Sequence, residues 1–295
     1  MNIIQVSRQF PTQESCIKHL EVARWRGVPT CPYCKSENTN PLTKEMRHHC
    51  NGCRKSFSVT VGTIFHDTRL PLQKWFLAIS LILNAKKGIS ARQLARDLEV
   101  NKDTAWSMDM RIREAMKDDG QMLTGIIEMD ETYVGGKPRK SNKKDDDDLN
   151  PPSKRGRGTK KTPVVGMVER KGNVKASKAD KNSLKSKDLN ELIRKNINAK
   201  GSVLLTDEYR GYNKAHTILK HYRINHQSGY VNGQIHTNTI ESFWAILKRG
   251  IIGQFHKVSA KHLDKYLNEF CYRYNNRKQD VNAVFNGVLN GMLRA

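Results

Sequence analysis

Acidic side chains inside an apolar strand destabilise it unless something answers their charge, and residues Gly125 to Gly136, GIIEMDETYVGG, carry several. Ile126, Ile127, Met129, Tyr133 and Val134 favour a strand, and the two closing glycines permit a sharp turn out of it. Strand alternation puts Glu128 and Asp130 on one side and Ile127, Met129 and Glu131 on the other, so the acids cannot all point to water. In a chain of net charge +23, a carboxylate so placed is either an ion-pair partner or a ligand for a divalent metal.

Two later stretches bear on that choice. In Gly201 to Tyr212, GSVLLTDEYRGY, residues Ser202 to Leu205 read as a short strand inside a sheet, with Asp207 just past its end. Active sites of α/β sheets collect at strand ends, although a helix cap looks the same. In His236 to Gly250, HTNTIESFWAILKRG, the spacing of Ile240, Phe243, Trp244 and Leu247 predicts the buried side of a helix. Asn238, Glu241, Ala245 and Lys248 share the other side. Asn238 followed three residues later by Glu241 also fits a capping box, which would engage the Glu241 carboxylate with the backbone.

Cysteine spacing sets a second constraint. Cys31-Pro-Tyr-Cys34 and Cys50-Asn-Gly-Cys53 are paired knuckles that together complete a tetrahedral Zn²⁺ site. Four thiolates leave no open position, so the ion is structural. His48 and His49 beside it are expected at the surface or facing phosphate. Cys16 and Cys271 have no partner at ligand spacing and read as small buried groups. Arg24, Arg26, Lys35, Lys44, Arg47, Arg54 and Lys55 give the ribbon a basic face, and Ser15 to Trp25 reads as a helix packed on it.

Residues 71 to 119 read as helical. Leu72, Trp75, Phe76, Ile79, Ile82 and Leu83 recur at helical spacing. Ser90 caps a second helix with Leu94, Ala95 and Leu98, and Asn101 or Asp103 caps a third with Ala105, Trp106, Met110 and Ile112. The pattern is that of a helix-turn-helix, with Lys102 and Thr104 at the start of the recognition helix; an ordinary helical linker is the alternative. Further on, Lys137 to Lys161 combines many cations with Asp145 to Asp148 and lacks aromatics, so it is expected to be a flexible loop. Thr162 to Arg170 and Asn173 to Ala179 read as a hairpin, and Ser186 to Ile197 as a helix.

The cationic excess implies a polyanionic partner, nucleic acid before an anionic membrane. The longest apolar run, Trp75 to Leu83, falls far short of the roughly 20 residues of a spanning helix. The first residues lack signal-peptide design, so a cytoplasmic protein with reduced thiols is expected.

Taken together, residues 30 to 280 resemble bacterial insertion-sequence transposases that carry an N-terminal zinc ribbon ahead of a DDE-type, ribonuclease H-like core. The resemblance rests on the four cysteines, Asp130-Glu-Thr-Tyr-Val-Gly-Gly136, Asp207-Glu-Tyr-Arg-Gly-Tyr212, His236-Thr-Asn-Thr-Ile-Glu-Ser-Phe-Trp244, Leu247-Lys-Arg-Gly250 and Tyr274-Asn-Asn-Arg277. It implies an α/β fold, a mixed sheet flanked by helices, preceded by the zinc ribbon and the helix-turn-helix. It also implies catalysis by Asp130, Asp207 and a third residue, Glu241 or Asn238, with Glu241 favoured because a charged carboxylate binds a hard cation better. These would hold two Mg²⁺ or Mn²⁺ ions. Lys248 would meet a phosphate near the cut, with Arg249 and Arg277 as further candidates.

The implied partners are terminal inverted repeats and target DNA, bound by a homodimer or larger assembly at the bacterial nucleoid, with no membrane. A DNA-binding regulator without enzymatic activity and a nuclease that never joins ends are the rival readings. The expected domains are 1–66, N-terminal helix and ribbon; 67–120, helix-turn-helix; 121–285, catalytic, with its loop at 137–161; and 286–295, a C-terminal tail.

Overall fold

The structure, a computed structural model, describes residues 1–135, 161–180, 184–224 and 236–294. The expected loop Lys137 to Lys161, with Asp145 to Asp148, lies outside the described residues except for Lys161. The chain divides into two compact units, Met1–Lys117 with Asn276–Ala295, and Asp118–Asn275.

The first unit begins with α1 (Ile3–Gln9) and α2 (Gln13–Trp25), each opened by a capping box, at Asn2 with Gln5 and at Thr12 with Ser15. A three-stranded antiparallel sheet follows: β1 (Thr39–Leu42), β2 (Arg47–Cys50) and β3 (Ser56–Phe57). The end of α2 packs on this ribbon as expected. Trp25 lies against the Cys31, Cys50 and Phe57 cluster, and Arg24 Nη1 donates to the carbonyls of Val59 and Val61 at 2.6 and 2.8 Å.

Next come α3 (Leu72–Asn84), α4 (Ala91–Leu98) and α5 (Lys102–Ala115). α3 buries Leu72, Trp75, Phe76, Ile79 and Ile82. Ser90 caps α4 by accepting from the Gln93 N–H, Glu99 turns the chain in the left-handed region, and Asn101 caps α5 by accepting from the Thr104 N–H. Helix, tight turn and second helix thus follow one another where the sequence places them.

The second unit is built on β4 (Ile126–Val134), β5 (Thr162–Glu169), β6 (Val174–Lys178), α6 (Ser186–Asn196), β7 (Val203–Thr206) and β8 (Lys220–Arg223), closed by α7 (Asn238–Gly250) and α8 (Leu263–Asn275). Its five described strands run β6-β5-β4-β7-β8. β5 is antiparallel to β4 and β6, while β7 is parallel to β4 and β8. The hairpin between β5 and β6 turns at Lys171, in the left-handed region, and Gly172. Ile127, Met129 and Leu204 face Leu189 and Ile193 of α6. On the opposite face, Val164, Val168 and Val174 pack against Ile240, Phe243 and Trp244 of α7 and Leu267 and Phe270 of α8. This is the mixed sheet flanked by helices expected of a ribonuclease H-like core.

The chain then returns to the first unit as α9 (Val281–Leu293). The stretch expected as a tail, 286–295, is helical as far as Leu293, and the second unit stops at Asn275 rather than 285. The reason is apolar: Phe285, Val288, Leu289 and Met292 are buried, and Phe285 lies edge-on to Phe76 and stacks on Phe10. α9 comes so close to α5 that a Cβ on Gly291 would collide with the Ala115 carbonyl oxygen. Among the described residues, no helix is long and apolar enough to cross a membrane. Replacing Phe285 by Ala is expected to cost the first unit about 3–5 kcal/mol, measured by denaturant unfolding, whereas a tail residue would cost almost nothing.

Candidate active site

Four sulfurs converge in the ribbon, their Sγ atoms all within 4.8 Å of one another. Cys31 Sγ is 3.7 Å from Cys53 Sγ, and Cys34 Sγ is 3.5 Å from Cys50 Sγ. A disulfide requires about 2.05 Å, whereas sulfurs about 2.3 Å from a central Zn²⁺ stand about 3.8 Å apart. The spacing fits one structural zinc. Each knuckle is closed by a tight turn, Lys35 N–H donating to the Cys31 carbonyl at 2.9 Å and Arg54 N–H to that of Cys50 at 2.8 Å. The Cys53 backbone N–H donates to Cys50 Sγ at 3.5 Å and favours its thiolate, while the adjacent Cys34 thiol is shifted the other way. His48 departs from expectation. It is buried, its Nε2 lies 2.8 Å from Glu21 Oε1, and its ring stacks on Phe57; it packs the ribbon against α2.

The acids of β4 separate between the two faces of the sheet. Glu128 is fully buried. Its carboxylate accepts from the backbone N–H groups of Thr239 and Ile240 at 2.8 and 3.0 Å, from Thr239 Oγ1 at 2.9 Å and from Arg170 Nε at 2.6 Å. β4 therefore supplies the cap of α7. The N-cap residue, Thr237, makes no side-chain cap bond, so the capping box expected from Asn238 and Glu241 does not form. Glu241 accepts instead from Thr237 Oγ1 at 3.1 Å, and both Glu241 and Asn238 are exposed.

Asp130 follows on the same face as Glu128. β4 and β7 pair with Ile126 opposite Val203, Ile127 opposite Leu204 and Glu128 opposite Leu205. β7 ends at Thr206, so Asp207 stands just past the strand, near enough for its carboxylate to act on that of Asp130. Trp244 Nε1 of α7 donates to Asp130 Oδ2 at 3.0 Å. Burial pushes the Asp130 carboxyl up to about 7, with the carboxylates of Glu131 and then Asp207 adding to it. A buried carboxylate with a second one near it offers the hard oxygen donors that suit a divalent cation.

Asp207 Oδ1 accepts from the Tyr209 N–H at 3.0 Å, and Asp207, Glu208, Tyr209 and Arg210 line an open cleft. On the other face, Glu131 Oε2 accepts from the buried Tyr212 hydroxyl at 2.8 Å, which ties the two acidic phrases together. Burial and the Glu131 carboxylate hold that phenol well above its ordinary range.

The sheet thus brings Asp130 and Asp207 together, and α7 reaches Asp130 through Trp244, one turn beyond Glu241. Among the described residues only the four cysteines gather three or more ligand atoms within 4.8 Å, so the Glu241 carboxylate does not close on the two aspartates to that distance. Lys248 and Arg249 are exposed near the end of α7. Lys102 is exposed and Thr104 half-buried at the start of α5, and Arg277 is exposed in the first unit.

Residues 122–275 match the model of the ISXO2-like transposase domain. The chain belongs to that transposase family. Residues 11–56 match the transposase zinc-ribbon domain, which contains all four cysteines. An insertion-sequence transposase with an N-terminal zinc ribbon and a DDE-type core is therefore the identity of the chain. A protein of the transposable element ISH50 from Halobacterium salinarum is 27% identical, over 90% of this chain and 92% of that one. A transposase-like protein from Haemophilus influenzae is 30% identical over 95 residues, 32% of this chain and 76% of that one. Among solved structures, the Mos1 transposase paired-end complex with left transposon end aligns with a TM-score of 0.30 and 13% identity, over 74% of this chain and 76% of that one.

Sequence reasoning saw Glu128 only as an acid in an apolar strand and missed that it caps α7. It also missed the bond from Trp244, whose spacing marked it only as core. A glycine inside the apolar β5, Gly166, was the available signal for close approach.

Two outcomes follow from the zinc site and from the buried Asp130 carboxyl. Removing zinc by chelation, or replacing Cys31 by Ser, should abolish hydrogen-exchange protection in β1 to β3 while β4 to β7 keep theirs. In metal-free protein Asp130 holds its proton in the folded state up to about 7, whereas the unfolded value is near 3.8. The folded state then binds more protons, so stability is full below the lower value and is lost as pH rises through the upper one. Asp130→Asn should remove that slope and melt higher than wild type at pH 8 without divalent metal, a difference that thermal unfolding at pH 4 and pH 8 will measure.

Proposed function

We propose that this transposase binds the terminal inverted repeats of its insertion sequence, cleaves the element ends and joins their 3′-hydroxyls to target DNA. What supports the reading most is the parallel pairing of β7 with β4, which ends just before Asp207 and Asp130, with α7 bonded to Asp130 through Trp244. Asp130, Asp207 and Glu241 would hold two Mg²⁺ or Mn²⁺ ions. Bound there, the ions would supply nucleophile activation and leaving-group stabilisation for in-line displacement at phosphorus. Glu241 is preferred over Asn238 because Glu128 already caps α7, which leaves the Glu241 carboxylate outside the backbone network.

The remaining residues bind and orient DNA. Lys248, with Arg249, lies on the exposed side of α7 beyond Glu241 and would meet phosphates near the cut; Arg277 is a further candidate for contact with phosphate. Lys102 and Thr104 would place α5 in the major groove, assisted by the basic face of the ribbon. Joining two ends requires holding both, so a homodimer or larger assembly on DNA at the bacterial nucleoid is the working form. The excess of cations makes binding fall steeply with salt.

Asp130→Ala and Asp207→Ala should each lower divalent-dependent cleavage of element ends by about 100-fold or more and leave end binding intact in a mobility-shift assay. Unchanged cleavage would reject the catalytic assignment. Pre-cut ends bearing 3′-hydroxyls should give joined product with wild type; ends that stay unjoined would identify a nuclease instead.

A further inference from the structure

Directly opposite Asp130 on the neighbouring antiparallel strand stands Gly166, so the two positions share one face of the sheet. A Cβ built on Gly166 would lie 2.6 Å from Trp244 Cζ2, closer still to Cη2, and 3.1 Å from Ile240 Cδ1. No side chain fits there. The indole lies over the bare strand, almost fully buried, and its Nε1–H reaches across to Asp130 Oδ2 at 3.0 Å. The N-terminus of α7 is fastened to β4, the strand of Asp130, by Glu128.

We infer that Trp244, admitted by Gly166, is a positioning residue that fixes the Asp130 carboxylate in the orientation required for divalent metal. This rests on the reading of Asp130 as a metal ligand. An unbonded aspartate rotates about its terminal torsion, where the energy wells are broad. A donor held rigidly in the core selects one orientation, as outer-shell hydrogen bonds do for metal-ligating groups generally. The arrangement also accounts for two unusual choices in the sequence, a glycine in the middle of an apolar strand and an indole rather than a phenyl ring at position 244. Hydrophobic packing alone would favour a larger residue at the first and accept Phe at the second.

The experiment titrates Mn²⁺ into the zinc-loaded full chain, without DNA, and reads free Mn²⁺ by electron paramagnetic resonance. Asp130→Ala should abolish the hard-cation site. Trp244→Phe, which keeps a ring and loses the donor, should weaken Mn²⁺ binding about 10- to 100-fold. Gly166→Ala, which displaces the indole from the other side, should weaken it similarly. The double variant should bind no worse than Trp244→Phe alone, because a phenyl ring lacks the atoms a Cβ would strike. Thermal unfolding identifies which variants are folded, and either single variant suffices if the other fails to fold.

Wild-type affinity in folded Trp244→Phe or Gly166→Ala, with binding still lost in Asp130→Ala, overturns the inference and leaves the metal reading standing. Equal binding by wild type and Asp130→Ala overturns both.

Discussion

A carboxylate buried in the central strand of the five-stranded sheet organises the second unit. Glu128 has no access to solvent, and an ionised group there is tolerated only if its lone pairs are fully engaged. The structure answers with two backbone amides of α7, the Thr239 hydroxyl and the Arg170 guanidinium. The open N-terminus of a helix suits this role, because its amides lack intrahelical partners and its dipole favours negative charge. The same bonds that neutralise Glu128 set the axial position of α7 on the sheet. Position of the helix in turn determines where Trp244, Glu241 and Lys248 stand. One strand thus carries both the anchor of the helix and, two residues later, the acid to which the helix donates through Trp244.

The other face of β4 is handled differently. Glu131 points toward the α6 side and is met by Tyr212, from the segment after Asp207. Since that tyrosine is fully buried, its hydroxyl needs an acceptor, and Glu131 supplies one. Two motif phrases far apart in sequence are therefore held together on one face by a tyrosine and on the other by strand pairing. In the first unit the zinc centre plays a comparable part. Three short strands bury little apolar surface, and the four converging sulfurs supply the cross-link that such a small sheet lacks.

How far these features were legible depends on the range of the interaction. Knuckle spacing, the helix-turn-helix caps at Ser90 and Asn101 and the hairpin at Lys171-Gly172 rest on residues within a few positions of one another, and each was read from sequence. α1 was missed although its capping box is local, because only seven residues carry it. β8 was missed because KHYR is polar and largely exposed, as an edge strand can be, so it lacks the alternation that marks a half-buried strand. The capping box at Asn238 failed for the opposite reason. Its pattern was present, but the helix opens one residue earlier, at Thr237, so the Glu241 amide donates to the Thr237 carbonyl while a buried carboxylate from β4 takes the amides of Thr239 and Ile240.

The sequence alone determined which chemistries were available: four thiolates at knuckle spacing, acids at strand ends, a cationic surface and the phrases that mark a transposase family. It did so because residue type and short-range spacing are properties of the chain itself. Only tertiary structure decided that Glu128 is an anchor, that Asp207 comes beside Asp130, that Gly166 is a seat for Trp244 and that the C-terminal helix belongs with the N-terminal unit. Each of those depends on a pairing register or a packed face between segments tens to hundreds of residues apart. Such choices are settled by burial and hydrogen-bond satisfaction of the whole core, and no local pattern encodes them.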